Sequence, residues 1–116
     1  MKPSAHLEAA RTIVAAVNSK DAALYASVFA DDAVVRLYDG PVRITGRAEI
    51  EENRRRHFAA HPHIRCEIQH LAAIGNVVVM HDRVWLAHDG VASEVVEIYA
   101  FDDDGLISKV DVVQPT

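Results

Sequence analysis

Apolar side chains recur at spacings of three and four near the start of the chain, which is the pattern of a helix with one buried face. The stripe predicts a helix from about 5 to 18, with Ser4 as its N-cap. Asp21 can cap a second helix, predicted to end at Asp31-Asp32 before a short β-type run over 33–38. The chain therefore begins with two helices and a strand.

A third helix and a series of strands make up the remainder of the chain. The helix is predicted over 47–60, because Pro62 stops it. Apolar runs separated by glycine-containing turns then predict strands joined by hairpins. These strands are predicted over 64–74, 77–87, 91–101 and 106–113. Helices followed by such strands favour an α+β fold, a cone-shaped barrel with three N-terminal helices packed in a strongly curved antiparallel sheet that encloses a pocket.

Length and charge limit the domain count and the partners. A chain of 116 residues is predicted to be one domain, 1–116, and a hydrophobic fraction of 50% argues against disorder. The net charge of −5 argues against a nucleic-acid partner. The sequence has neither an apolar run of about 18 residues nor a signal-peptide core at its start, so we expect no membrane partner and a cytoplasmic protein. Cys66 is the single cysteine, which excludes an internal disulfide.

Three histidines near the end of the third predicted helix raise the question of a metal site. His57 and His61 have the i, i+4 spacing of zinc ligands on a helix, and His63 follows. Pro62 breaks that helix, however, and no carboxylate lies at the spacing of a zinc-protease motif. We therefore expect a solvated helix end, with no metal and no cofactor.

Glu97 is the most informative single position, because it stands inside an otherwise apolar strand over 95–101. An ionised carboxylate buried without a partner is costly, so the group must be paired, solvated by a cavity or protonated. Three arrangements are open: a cross-strand ion pair with Arg83, an acid inside a cavity, or an exposed group on a sheet face or dimer interface.

The element order and four local motifs resemble the nuclear transport factor 2-like superfamily, which includes ketosteroid isomerases, limonene epoxide hydrolases and polyketide cyclases of the SnoaL type. The resemblance implies the fold predicted above, a small apolar molecule in the pocket, and a homodimer formed through the sheet. The motifs, which together span nearly the whole chain, are Lys20-Asp21, Phe29-Ala30-Asp31-Asp32-Ala33-Val34-Val35, Ile44-Thr45-Gly46-Arg47 and Phe101-Asp102-Asp103-Asp104-Gly105-Leu106-Ile107.

Only one of three ketosteroid isomerase positions carries a matching residue. Counting back from Phe101, Glu97 falls where those enzymes keep a protonated acid that donates a hydrogen bond to the developing oxyanion. Leu37 stands at their base position and Ile13 at their tyrosine position. Asp39, two residues after Leu37, is a candidate for a displaced catalytic base, with an ordinary turn residue as the alternative.

The comparison with limonene epoxide hydrolases disfavours epoxide hydrolysis. Those enzymes use an Asp-Arg-Asp site, in which the arginine corresponds to Arg83. Trp85 stands at the position of one aspartate and Val112 at that of the other. His81, Arg83 and Trp85 are predicted to share one face of their strand.

These residues form a coherent site if that face lines the cavity. His81 would be a catalytic proton shuttle beside Glu97, and Arg83 would bind a carboxylate or enolate. Trp85 and Tyr99 would stack on a flat substrate, and Tyr38 is a further substrate-binding candidate. The alternatives are an ordinary hydrogen-bonded histidine and a structural ion pair, and a one-residue register slip would reverse the assigned face.

Two functions follow from this reasoning. One is a cofactor-independent isomerase, cyclase or dehydratase that moves a proton on a small apolar carbonyl compound. The other, favoured by the two missing isomerase positions, is a non-catalytic domain that binds a small ligand or acts as a dimeric interaction module.

Overall fold

The computed structural model describes residues 3–115, so Met1, Lys2 and Thr116 of the predicted domain lie outside it. The helices are α1 (Pro3–Ser19), α2 (Ala22–Ala26) and α3 (Arg47–Ala60). The strands are β1 (Phe29–Leu37), β2 (Val42–Thr45), β3 (Arg65–Ile74), β4 (Val77–Trp85), β5 (Ser93–Phe101) and β6 (Ile107–Val113). No helix within residues 3–115 is long and apolar enough to span a membrane.

The six strands form one curved sheet in the order β2-β1-β6-β5-β4-β3, with the helices packed against one face. This confirms the predicted α+β fold. The sheet is open, with β2 and β3 as its edges. Neighbouring strands are antiparallel except for β1 and β6, which are parallel. Because β1 and β6 are far apart in sequence, no hairpin constrains their direction.

The main difference from the predicted elements lies around the second helix. α2 ends at Ala26, and Phe29 already belongs to β1, where it pairs with Ile107 of β6. Phe29 is completely buried in this position, so tertiary pairing overrides the weak local helical pattern. The four-residue strand β2 was not predicted, because it is too short to show an alternating pattern. Ser4 lies in the first turn of α1 rather than before it.

Strand register decides which side chains face the helices. Met80 of β4 lies opposite Glu97 of β5, and Asp82 lies opposite Val95. Residues opposite each other in an antiparallel pair point to the same side of the sheet. Met80 is fully buried, so this side is the inner face, and even-numbered residues of β4 and odd-numbered residues of β5 point toward the helices.

Asn18 fixes the end of α1 against β3. Its Nδ2 donates to the carbonyl oxygen of Cys66 at 3.1 Å, and its Oδ1 accepts from the Cys66 N–H at 2.8 Å. Lys20 adds a hydrogen bond from Nζ to the Ile64 carbonyl oxygen at 2.6 Å. These bonds satisfy backbone groups at the start of β3 and hold the helix at a fixed distance from the sheet. The space between the two elements is therefore well defined.

Candidate functional site

A cavity of about 490 Å³ lies between the helices and the inner face of the sheet. Its wall is mostly apolar. Ile13, Leu37 and Val112 all line it. These are the positions at which the resemblance to isomerases and epoxide hydrolases implies polar catalytic groups. The volume and the apolar wall suit a small organic molecule. The chemistry of this cavity must therefore come from other residues.

Glu97 is one of the polar groups that line the cavity. Its Oε2 accepts a hydrogen bond from the Tyr99 hydroxyl, and it forms no ion pair with any described residue. Burial raises the pKa of Glu97, while the Tyr99 hydrogen bond and then the charge of Arg54 act in the opposite direction. The sequence-based alternative of an ion pair between Glu97 and Arg83 is wrong.

Asp82 is a second carboxyl group in the same cavity, and sequence reasoning missed it. The residue is only 3% exposed, and within residues 3–115 its Oδ1 has no hydrogen-bond partner. Burial raises the pKa of Asp82, and the charge of Glu97 raises it further. Its place between Met80 and Val84 in an otherwise apolar alternation was the available sequence signal.

Asp82 and Glu97 are diagonal neighbours on the inner face of β4 and β5. Two carboxyl groups this close in an apolar environment do not ionise independently, because the first negative charge opposes the second. Glu97 is the better site for the negative charge, since it accepts the Tyr99 hydrogen bond and faces Arg54. Asp82 is accordingly the group that keeps its proton longer as the pH rises.

The helices contribute four more polar groups to the cavity wall, Tyr25, Asn53, Arg54 and His57. Arg54 lies over the Tyr25 ring, 5.4 Å from its centroid. Burial, and then the charges of Arg54 and His61, lower the pKa of His57 to about 4, so its imidazole is neutral at physiological pH. Within residues 3–115, no three His, Cys, Asp or Glu side chains form a cluster that could hold a metal ion.

The predicted His81 site lies on the opposite side of the sheet. His81 Nε2 is 2.7 Å from Glu94 Oε1, and Arg83 Nε donates to Glu94 Oε2 at 2.9 Å. On the other side of the imidazole, His81 Nδ1 lies 3.0 Å from His70 Nδ1. The expectation that His81 and Arg83 face the cavity is therefore corrected, because Asp82 and Val84 occupy the inner face at this register.

The other predicted site residues also lie away from the cavity space. Trp85 is on the outer face under the Arg65 guanidinium, which is 3.9 Å from its ring centroid. Asp39 is an exposed turn residue with φ of 54°, and Tyr38 beside it is 61% exposed. Tyr99 is 0% exposed, so its ring packs in the core and cannot stack on a substrate. Its contribution is the hydrogen bond to Glu97.

The chain matches known proteins in sequence and in fold. The model of the SnoaL-like domain family matches residues 10–110. An uncharacterised cystatin-fold protein from Novosphingobium aromaticivorans is 31% identical, with a TM-score of 0.84 and coverage of 93% of this chain and 97% of that one. None of the functionally curated proteins compared with the sequence matches it.

Two further solved structures share the fold at lower identity. A SnoaL-like protein of unknown function from Burkholderia thailandensis is 16% identical, with a TM-score of 0.83 and coverage of 97% and 96%. A proposed ketosteroid isomerase from Kribbella flavida is 21% identical, with a TM-score of 0.79 and coverage of 97% of this chain and 79% of that one. With a family match over most of its length, this chain belongs to the SnoaL-like domain family.

Proposed function

We propose that this protein is a cofactor-independent enzyme that moves a proton on a small apolar carbonyl compound. The observation that carries the proposal is the pair of carboxyl groups, Asp82 and Glu97, in an apolar cavity that raises the pKa of both. A pair that holds one proton offers a base and an acid together. Ketone isomerisation, cyclisation and dehydration can each use this combination.

Glu97 is the base and Asp82 the acid in this mechanism. Glu97 removes a proton from the carbon next to the substrate carbonyl, and Asp82 donates its proton to the carbonyl oxygen, which gives a neutral enol. In an isomerisation, Glu97 then returns its proton to a different carbon while Asp82 recovers the proton from the enol oxygen. The double bond has moved, and both carboxyl groups are back in their starting states.

Tyr99 positions the base in this mechanism. Its hydroxyl donates to one oxygen of Glu97 and leaves the other oxygen for the substrate. Burial raises the pKa of Tyr99, which keeps the hydroxyl protonated and therefore able to donate. The role of Glu97 as the base differs from the role that the family resemblance implies, in which Glu97 is the protonated acid.

The proposal predicts proton exchange on suitable ketones. Incubation of the protein in D₂O with a panel of small β,γ-unsaturated and α,β-unsaturated ketones should give deuterium at the carbon next to the carbonyl, and double-bond migration in the reactive members. NMR detects the exchange and mass spectrometry detects the product. Saturable binding across the panel without exchange or product would exclude proton transfer on these compounds.

A non-catalytic ligand-binding domain is the second candidate function. The observation that favours it is the apolar cavity wall at Leu37 and Ile13, where the resemblance places a base and a tyrosine. In that case, the carboxyl groups would only orient a polar group of the ligand. Binding without product in the exchange experiment would support this function.

We also propose that two copies of the chain associate through the outer face of the sheet. Val79, Val96 and Ile98 form a partly buried apolar strip on the central strands of this face. Ile98→Lys places a charge in the strip and is expected to convert a dimer to a monomer in light scattering at micromolar concentration. Val91→Lys, at a loop position that is 94% exposed, is the matched control. A wild-type protein that is already monomeric would contradict the proposal.

A further inference from the structure

Arg54 differs from the two arginines that follow it in sequence. Arg55 pairs with Glu51 at 2.7 Å, and Arg56 pairs with Glu52 at 3.5 Å, both on the solvent side of α3. Arg54 lies one turn after the fully buried Ile50 and lines the cavity. Among the described residues, no carboxylate lies within ion-pair distance of Arg54. The cavity wall therefore carries a cation without a direct counter-ion.

The guanidinium of Arg54 is held in place by neutral groups. Its Nε and Nη2 both donate to Asn53 Oδ1, at 3.2 and 2.8 Å. It lies over two aromatic rings, with its Cζ 5.4 Å from the Tyr25 centroid and 6.0 Å from the Phe58 centroid. These contacts orient the planar group but do not neutralise its charge.

The protein leaves part of this guanidinium unsatisfied. A guanidinium has five N–H donors, and the two bonds to Asn53 use two of them, so three remain without an acceptor among residues 3–115. The free donors include both N–H groups of Nη1. This geometry matches a carboxylate, which can accept two parallel N–H bonds from one edge of the group.

The carboxyl groups of the cavity do not act as the counter-ion of Arg54. Neither Asp82 nor Glu97 forms an ion pair with Arg54, and the pKa of Glu97 remains raised despite the nearby positive charge. With one proton on the pair, a single negative charge remains there, and it is already hydrogen-bonded to Tyr99. His57 is neutral and adds no charge.

We infer that Arg54 is a carboxylate-binding site and that the natural ligand is a small, largely apolar molecule with one carboxylate. The apolar wall takes the body of such a ligand, while Arg54 takes its charged end. As a statement about the substrate of the enzyme, the inference rests on the proton-transfer function proposed above. As a statement about ligand binding, it stands independently of any turnover.

The test compares two probes of equal shape, cinnamate and cinnamamide, by calorimetric titration. The wild-type protein should bind cinnamate at least about tenfold more tightly than the neutral amide, because only the acid offers two charged acceptors to the guanidinium. Inorganic phosphate, added as a third probe, should bind weakly, because it lacks an apolar body. Equal affinity for acid and amide, or no binding of either, would overturn the inference.

Variants separate charge recognition from packing. Arg54→Met should weaken cinnamate binding at least about tenfold while changing cinnamamide binding less than about threefold. Arg55→Met removes the same charge from the solvent side of α3 and should bind both probes as the wild type does. Equal loss of both probes in Arg54→Met would mean that Arg54 only supports the cavity wall. Arg54→Lys retains a positive charge and should preserve a preference for the acid if the methionine variant does not fold.

These outcomes are distinguishable from a failure of the proposed enzymatic function. Proton exchange on neutral ketones without a preference for cinnamate over cinnamamide would contradict the carboxylate site and support the enzymatic function. An Arg54-dependent preference for cinnamate without any proton exchange would support the carboxylate site and contradict the enzymatic function.

Discussion

Replacement of Glu97 by glutamine is expected to lower kcat by about 10²- to 10⁴-fold on any ketone that the protein turns over, because the amide cannot act as a base. The fold should be retained, since glutamine has nearly the same shape and its amide oxygen can still accept the Tyr99 hydrogen bond. Asp82→Asn should cause a loss of similar size by removing the acid. Steady-state kinetics measure both effects, and circular dichroism establishes folding.

The control for this experiment is on the other face of the same strands. His81→Asn alters the predicted but outward-facing histidine and should leave kcat within about twofold of wild type. The wild-type rate should have a bell-shaped pH dependence, because the reaction needs one proton on the pair and not zero or two. Full activity of Glu97→Gln, or equal damage by His81→Asn, would rule out the Asp82–Glu97 mechanism.

Asp82→Asn is also expected to raise the free energy of unfolding, by about 2 to 4 kcal/mol near pH 9. This difference from the wild type should decrease toward pH 4. The pKa of Asp82 is higher in the folded protein than in the unfolded chain. Below an unfolded pKa of about 3.9, both states are protonated and the wild-type stability is fully present. As the pH rises toward the folded pKa, the unfolded chain releases its proton first, so the wild type loses stability while the asparagine variant does not.

Urea denaturation at pH 5, 7 and 9 measures this difference. Glu94→Gln is the control, because the hydrogen bond with His81 and then the contacts with Arg83 lower the pKa of Glu94. Glu94→Gln should give no stabilisation at high pH. Any stability that it loses relative to the wild type should be recovered as the pH falls through the pKa of Glu94 in the folded protein. A stability gain of Asp82→Asn that is the same at all three pH values would mean that the aspartate is not a desolvated acid.

Local sequence patterns were sufficient to predict most of the elements. The third helix has the predicted bounds, 47–60, and the strand after Gly75-Asn76 begins at the predicted Val77. The turn residues and the helix-stopping proline carry this information in a few adjacent positions. The position of Glu97 in β5 was also visible from the sequence, since a carboxylate in an apolar run stands out locally.

The face of β4 was not predictable in the same way. Val77 and Val79 point outward while Val78 and Met80 point inward, so both faces are apolar at the start of the strand. An alternating pattern identifies the buried face only when the other face is polar. The choice between His81 and Asp82 therefore depended on pairing with β5, which is a tertiary property. Arg54 could not be predicted as a cavity residue for the same reason. Which of the three adjacent arginines lines the cavity depends on how α3 packs against the sheet.

The parallel pairing of β1 with β6 has a consequence for how the chain is synthesised and folded. β6 is the link between the β2-β1 pair and the β5-β4-β3 meander, and it is the last of the six strands to leave the ribosome. Until then, the first strand has no partner other than β2, and its pairing with Ile107–Val113 must close a loop of some seventy intervening residues. Completion of the sheet, and with it of the cavity wall, is therefore a late event in folding.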